Sequence, residues 1–255
     1  MENGEEMRGV IRALEVLSAL NETNGATIVQ LNVATGISRP ALYRIVRTLC
    51  SAGYLRPDND GYWLTPLVRQ LSDGFDDEAW LTEIASPILD DLQKQVIWPT
   101  DLFTFHSDRM VMRRTTRRSS PWTIDRAMVG LRIPLLVTAV GRAYLAFQRP
   151  AVQDGVLQRL AKSEDPDDSP VRDRRAIGAL LENVRKQGYA TREHGFMPET
   201  GSLAVPVLVD HVARCSIAIT YINSALSAAE VIRRYRKPLQ DSADKIAAGF
   251  KHPQD

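Results

Sequence analysis

Few side chains of the sequence have the type and spacing that covalent or acid–base chemistry needs. Cys215 follows His211 by four residues, which a thiol nucleophile and its base could use, but a turn leading into a strand pattern favours an inert cysteine. Asp90 and Asp91 are adjacent on a helical pattern, so they point in different directions and fit a solvated face better than an acid–base pair. Neither of the glycine-rich phosphate-binding patterns, GxGxxG and GxxxxGKS/T, occurs in the sequence. The sequence therefore predicts no enzyme and no cofactor.

Metal and disulfide chemistry are not favoured either. The chain has 2 cysteines, far apart and without a CxxC pair, and 4 scattered histidines. Because zinc sites and disulfide frameworks need several such residues at close spacing, the sequence predicts neither.

The chemistry that the sequence does favour is electrostatic binding of phosphate groups. The net charge of the chain is only +1, but the stretch from Thr23 to Pro57 contains no Asp or Glu and includes Arg39, Arg44, Arg47 and Arg56. A cationic window of this kind is typical of a surface that faces nucleic acid. The alternative is a solvated charged face, although such faces usually mix both signs.

A helix must present these arginines. Ser38 suits an N-cap and Pro40 suits a first turn, where its missing N–H is not needed. The apolar residues recur at helical spacing and form one face: Leu42, Ile45, Val46, Leu49 and Cys50. The opposite face and its surroundings supply the candidate DNA contacts: Thr27, Ser38, Arg39, Pro40, Tyr43, Arg44, Arg47 and Arg56.

The flanking segments complete a winged helix-turn-helix. An amphipathic helix is predicted over Arg8 to Leu20, with these residues inward: Val10, Ile11, Leu14, Leu17 and Leu20. Thr27 caps a second helix, and the Thr35-Gly36-Ile37 turn leads into the arginine-bearing one, as in a helix-turn-helix whose second helix enters the major groove. Two short strands, residues 54–56 and 62–64, flank a turn-rich loop and form the wing.

The domains predicted from these patterns are a DNA-binding domain over residues 1–64, a linker helix over 65–76 and an effector domain over 77–255. The last of these mixes strands and helices without strict alternation, which predicts an α+β fold. Its predicted helices are 77–96 with a kink at Pro87, 138–148, 154–161, 171–187 and a capped terminal helix from Ser227 to about Lys251. Its predicted strands are 101–106, 110–116, 203–209 and 214–221.

The motif "GISRPALYRIVRTLCSAGYL", the linker helix, "GLRIPLLVTAVGRAYLAF" and "SLAVPVLVD" together resemble the IclR family of bacterial transcription regulators over almost the whole chain. The segments "VRQLSDGF", "WPTDLFTF" and "DRAMVGLRIPLLVTAVGRAYLAF" look closer to the MhpR-like regulators of hydroxyphenylpropionate catabolism. The resemblance implies a GAF-like effector domain in the C-terminal half.

The resemblance also implies partners: a palindromic operator in double-stranded DNA, a small-molecule effector, a second copy in a homodimer or dimer of dimers, and RNA polymerase. An aromatic carboxylic acid is the first choice of effector and a short keto acid the second. Mapping the family's pocket onto this chain, with Arg132 added as a partner for a carboxylate, gives these effector positions: Met128, Arg132, Thr138, Ala139, Val140, Gly141, Leu203 and Thr220. The strand end around Thr220 is bulkier than the family's usual "SVSGP".

Two rival functions stay open, an enzyme that carries a DNA-binding domain and a DNA-bound scaffold without a ligand. The acidic N-terminus lacks the basic flank and apolar core of a secretory signal, and the apolar run from Ile133 to Gly141 is too short to span a bilayer. The sequence therefore predicts a cytoplasmic protein without a membrane span.

Overall fold

The computed structural model describes residues 7–23, 25–58, 61–71, 80–122 and 129–250. The chain divides into two compact units, Met1–Asp76 and Asp77–Asp255. Across the described residues, no helix combines the length and the apolar character that a bilayer crossing requires. The same residues contain no cluster of three His, Cys, Asp or Glu side chains that could hold a metal ion.

The N-terminal unit is a three-helix bundle with a two-stranded wing. Its elements are α1 (Arg8–Thr23), α2 (Ile28–Thr35), α3 (Arg39–Ser51), β1 (Leu55–Asp58), β2 (Gly61–Leu64) and the short α4 (Leu67–Gln70). The core includes Val16 and Leu20 of α1, Leu31 of α2, and Leu42 and Val46 of α3. The predicted helix-turn-helix and wing are therefore present, although two wing-loop residues, 59 and 60, and the linker segment 72–76 lie outside the described residues.

The predicted inward face of α1 is partly wrong. Val10, Ile11 and Leu14 are 51%, 41% and 56% exposed, whereas Val16 and Leu20 are fully buried. The bundle has only two partner helices for α1, and the side chains that they cover lie in its C-terminal half. An apolar stripe consequently remains at the surface of its N-terminal half.

The C-terminal unit has the predicted α+β fold, built on one antiparallel sheet. Its strands are β3 (Thr100–His106), β4 (Arg109–Thr115), β5 (Arg132–Ile133), β6 (Ala190–Arg192), β7 (Thr200–Val209) and β8 (Val212–Ile222), in the order β5-β4-β3-β8-β7-β6. Its α-helices are α5 (Ser86–Val96), α6 (Ala139–Ala146), α7 (Pro150–Leu160), α8 (Arg174–Gln187) and α9 (Ala228–Gly249). A 3-10 helix, Pro166–Arg172, joins α7 to α8.

The sheet has an apolar layer on each face. One face packs against residues of α6, α7 and α8, and the other against α5 and α9. Because side chains alternate along a strand, a shift of one residue moves a side chain from one layer to the other. This alternation decides which residues can reach a cavity in either layer.

Several sequence-based boundaries need correction. Of the helix predicted over 77–96, residues 77–79 lie outside the described residues, and the rest is a π-helical segment, Trp80–Ala85, that continues directly into α5 with Pro87 in the first turn of α5. The helix predicted from Asp154 begins at Pro150. The strands β5 and β6 had no counterpart in the prediction because they are only two and three residues long. The capping box at Ser227 is present as predicted.

Candidate functional site

The arginine-bearing helix α3 presents a cationic face to solvent. Leu42, Val46 and Leu49 are buried at helical spacing on the inner side. The outer side carries the exposed residues Ser38, Arg39, Pro40, Tyr43, Arg44 and Arg47. Within the described residues, Arg39, Arg44 and Arg47 form no ion pair with an acidic side chain. Their charge is therefore available to an anionic partner.

The turn before α3 is built by the residues that the sequence indicated. Gly36 adopts a left-handed conformation with φ 68° and ends α2, and the Asn32 side chain donates to the carbonyl of Ile37 at 2.7 Å. Thr27 forms a capping box with Gln30 at the start of α2. Ser38 occupies the N-cap position of α3, but its side chain makes no capping hydrogen bond, so its hydroxyl is not committed to the helix.

The wing carries Arg56 on β1. Its guanidinium lies 3.1 Å from a carboxylate oxygen of Asp58 and 5.8 Å from the ring centroid of Trp63, its cross-strand partner. Both charged side chains are about half exposed, and an ion pair of this kind contributes little stability in water. A phosphate could therefore replace Asp58 at low cost.

The second site is a cavity between the sheet and the start of α6. Apolar side chains form most of its wall: Phe103, Met112, Leu131, Ile133, Ala139, Val140, Phe196, Met197 and Ala218. Polar side chains gather in one region of the wall: Asp101, Arg117, Thr138, Arg192, Ser202 and Thr220. The cavity has a volume of about 40 Å³.

A polar row crosses the floor of the cavity. Arg192 of β6 lies opposite Ser202 of β7, and Ser202 lies opposite Thr220 of β8. The neighbouring row consists of Ala190, Ala204 and Ala218, of which Ala218 lines the cavity. The register thus places a cation and two hydroxyl groups beside a flat apolar surface.

A buried ion pair continues this polar region. Arg117 binds Asp101 through two nitrogens, Nε to Oδ1 at 3.2 Å and Nη2 to Oδ2 at 2.7 Å, and its Nη2 also lies 3.2 Å from Oγ1 of Thr220. Asp101 accepts a further hydrogen bond from Thr115 at 2.7 Å. The side chains of Arg117 and Asp101 are 8% and 1% exposed. Removing one partner would leave a buried charge uncompensated.

The start of α6 contributes backbone and side-chain groups. Thr138 is the N-cap, and its Oγ1 accepts from the N–H of Gly141 at 3.3 Å and donates to the carbonyl of Pro134 at 2.6 Å. Ala139 and Val140 follow it in the cavity wall. The first N–H groups of a helix attract anions, so this end of α6 suits a carboxylate.

Of the effector positions named from the sequence, Thr138, Ala139, Val140 and Thr220 line the cavity. Gly141 does not, because it packs against the backbone of Leu135. Leu203 lies in the opposite layer, since Ser202 is its neighbour on the cavity side of β7. Met128 lies outside the described residues.

Arg132 also lies away from the cavity. It is exposed on β5 and donates to the carbonyls of His106 and Ser107, both at 3.3 Å, while Ile133 faces inward. The cations of the cavity wall are instead Arg117 and Arg192. Neither arginine follows from a sequence pattern, because Arg117 lies in a turn of mixed polar residues and Arg192 ends a three-residue strand.

Comparisons with known proteins agree with the division into two units. Residues 9–59 match the model of the IclR helix-turn-helix domain, and residues 77–248 match that of the bacterial transcriptional regulator IclR C-terminal domain. The Pca regulon regulatory protein of Pseudomonas putida is 28% identical over 79% of this chain and 69% of its own. The p-hydroxybenzoate hydroxylase transcriptional activator of Acinetobacter baylyi is 27% identical over 78% of this chain and 75% of its own.

Two solved structures share the fold. The IclR protein of Thermotoga maritima superposes with a TM-score of 0.68 at 20% identity, covering 95% of this chain and 98% of its own. An IclR homologue of Microbacterium hydrocarbonoxydans, complexed with 4-hydroxybenzoate, gives a TM-score of 0.64 at 18% identity, covering 96% of this chain and 100% of its own. The matched families and relatives are transcriptional regulators rather than enzymes.

Proposed function

We propose a function for this protein, which belongs to the IclR family of bacterial transcriptional regulators. It controls aromatic-acid catabolic genes in response to an aromatic carboxylic acid. The helix-turn-helix unit binds DNA, and the C-terminal unit binds the effector. The observation that carries the effector class is the cavity wall, in which aromatic, thioether and alkyl groups face a polar region with two guanidinium groups. An apolar slot with one charged end is what a phenolic acid requires.

The names of the relatives support this class. One is an activator of p-hydroxybenzoate hydroxylase genes, and one structural neighbour was crystallised with 4-hydroxybenzoate. Within the class we favour a hydroxyphenylpropionate, because of the MhpR-like segments of the sequence. A short keto acid is the second candidate, and the cavity volume of about 40 Å³ favours it.

The remaining parts of the proposal concern architecture and assembly. The DNA-binding domain comprises residues 1–64, a linker helix residues 65–76 and the effector domain residues 77–255. The regulator acts in the cytoplasm as a homodimer or dimer of dimers on a palindromic operator, where RNA polymerase is the further partner. A two-fold dimer fits this site because it doubles the contacts of one short recognition helix.

Replacing Arg44 or Arg47 by alanine tests the DNA-binding part. Each variant should weaken operator binding by roughly 1–3 kcal/mol if the side chain contacts a base, and should lower the salt slope by about one if it contacts a phosphate. Smaller losses are expected at the other proposed contacts, which are Ser38, Arg39, Pro40 and Tyr43 at the start of α3, Thr27 at the start of α2 and Arg56 on the wing. Fluorescence anisotropy at several salt concentrations measures both quantities. The matched control is Arg174→Ala, an exposed arginine of the other unit. Unchanged binding by both variants would rule out α3 as the recognition helix.

Calorimetry tests the effector part. The protein is titrated with 3-(3-hydroxyphenyl)propionate, 4-hydroxybenzoate and pyruvate, and the acid that binds should also change operator affinity. Heat from pyruvate alone would replace the aromatic class by the short keto acids. Heat from none of the three would favour a DNA-bound scaffold over a sensor.

A further inference from the structure

Arg192 connects the floor of the cavity to the loop that covers it. Its side chain is 5% exposed and lines the cavity. From there Nη1 donates to the carbonyls of Phe196, Met197 and Thr200, at 2.9 Å for Met197 and 2.7 Å for Thr200, and Nη2 donates to Oγ1 of Thr200 at 2.9 Å. One buried guanidinium thus binds two points of the segment 193–199, here called the roof loop, and the first residue of β7.

The roof loop lies outside the sheet strands and is largely exposed. Its residues are exposed except for Phe196, which is half-buried, and the side chains of Phe196 and Met197 line the cavity. Met197 has a φ of 54°, a left-handed conformation that costs energy for a residue other than glycine. At the ends of the loop, the Asn223 side chain donates to the carbonyls of Glu193 at 2.6 Å and Pro198 at 2.9 Å.

An aromatic acid could enter the cavity only if part of the wall moved. Its volume is about 40 Å³, whereas a cavity of roughly 150 Å³ can hold a benzene ring. Most of the other wall residues belong to strands or to α6, whose backbone groups are paired within the fold. The wall can therefore give way most easily at Phe196 and Met197.

The other guanidinium is a poorer receptor for an acid. Arg117 already binds Asp101 through two nitrogens, and both side chains are buried. A second carboxylate at Arg117 would bring two negative charges together at low dielectric. At Arg192 an effector carboxylate would compete with the carbonyls of Phe196 and Met197, which lie in the loop and can be hydrated once released, while the bonds to Thr200 of β7 stay in place.

We propose that Arg192 binds the effector's carboxylate. The new hydrogen bonds replace those from the guanidinium to the carbonyls of Phe196 and Met197, and the roof loop is released. This rests on the proposed effector function. A charge-assisted hydrogen bond is stronger than one to a neutral carbonyl, so an acid stabilises the released state and a neutral analogue of the same shape does not. That difference in affinity between two states is what a ligand needs to shift an equilibrium.

The test compares the acid that binds most tightly among the three titrated above with its primary amide, by calorimetry on the full chain. The wild type should prefer the acid. Arg192→Gln should lose about 10- to 100-fold in affinity for the acid, as removal of a charged hydrogen-bond pair predicts, and change little for the amide. The matched control, Arg185→Gln, removes an arginine that donates to the carbonyl of Ala146 outside the cavity and should keep the preference.

Hydrogen exchange on the wild type gives a second readout that needs no variant. The amides of Thr200 and Asn223 donate to the carbonyls of Met197 and Glu199, both at 3.1 Å, and their exchange should accelerate with the acid but not with the amide. If Arg192→Gln kept the preference, or if the acid left both amides protected, the inference would fail while the effector function stood. If none of the three acids bound the wild type, the inference and the proposed effector function would both fail.

Discussion

At the scale of single residues, Tyr221 carries the clearest pH-dependent contribution to stability. Its side chain is 1% exposed, and its hydroxyl has no hydrogen-bond partner among the described residues. The ring lies over Gly201, its cross-strand neighbour, where a Cβ would come within 2.2 Å of Cζ. Burial, reinforced by Glu193 and opposed by Arg192, raises the pKa of Tyr221 to about 12. The unfolded chain, with a phenol pKa of about 10, therefore loses this proton first as the pH rises.

Tyr221→Phe should remove this dependence. Between pH 9 and 11.5 the wild type should lose about 2 kcal/mol of unfolding free energy relative to the variant, because the folded state retains a proton that the unfolded state has released. At neutral pH the variant should be as stable as the wild type or slightly more so, since the hydroxyl that it loses is buried and unsatisfied. Urea unfolding at a series of pH values measures both effects. Tyr43→Phe, at an exposed position, controls for general alkaline effects, and a Tyr221→Phe curve parallel to the wild type would contradict the prediction.

At the scale of elements, the start of α6 depends on Gly141. A Cβ at this position would lie 2.2 Å from the carbonyl oxygen and 2.4 Å from the Cα of Leu135. Because these are backbone atoms, they cannot rotate away as a side chain could. The glycine therefore packs the helix against the turn that precedes it, which is why Thr138 to Val140 reach the cavity wall.

Gly141→Ala should destabilise the C-terminal unit by about 1–3 kcal/mol, the usual cost of overpacking, or by more if the turn cannot shift. Gly178→Ala in α8 is the matched control, since nothing lies within 4 Å of its Cβ position. That variant should instead stabilise the protein by about 0.5–1 kcal/mol, because alanine loses less backbone entropy in a helix than glycine. Thermal unfolding of both variants decides the matter, and equal effects would show that the close packing at Gly141 is unimportant.

The elements also show what the sequence could predict. In α3 the buried Leu42, Val46 and Leu49 and the outward arginines follow from helical periodicity alone, so the helix and its faces were predicted correctly. In α1 the same periodicity identified an apolar face, but it did not show which part of that face other helices cover. Val10 and Leu14 are exposed because burial depends on which helices lie nearby, and this is tertiary information.

The cavity could be predicted only in part, for a similar reason. The family resemblance, rather than a local pattern, pointed to the start of α6, and Thr138, Ala139 and Val140 line the cavity there. Which side chains of a strand face the cavity depends on the packing of the whole sheet. The resemblance named Leu203, but Ser202 faces the cavity, and Arg132 was named for its charge, but Ile133 faces inward. Arg192 reaches the cavity because of its cross-strand pairing with Ser202. A strand of three residues has no sequence pattern from which that pairing could be predicted.

At the scale of the whole molecule, the N-terminal unit has an exposed apolar surface that a partner could cover. The N-terminal unit exposes an apolar stripe along the start of α1 and the residue before it: Met7, Val10, Ile11 and Leu14, at 74%, 51%, 41% and 56% exposure. Their spacing of three and four residues places them on one helix face. Leu71, just after α4, is also exposed, at 59%. A stripe of this kind is typical of an interface, and a second copy of the chain is the partner that the proposed palindromic operator would require.

The double variant Ile11→Glu and Leu14→Glu should therefore separate the dimer. Both side chains are already exposed, so the stability of the unit should change by no more than about 0.5 kcal/mol for each substitution. Sedimentation at micromolar concentration should show a dimer for the wild type and a lighter species for the variant, with weaker operator binding because the half-sites are then occupied independently. Val33→Glu introduces the same charge on α2, at an 81% exposed position outside the stripe, and should leave assembly unchanged. A double variant that still sediments and binds operator as the wild type does would place the interface on other elements, since two buried glutamates could not be accommodated in an apolar contact without a loss of affinity.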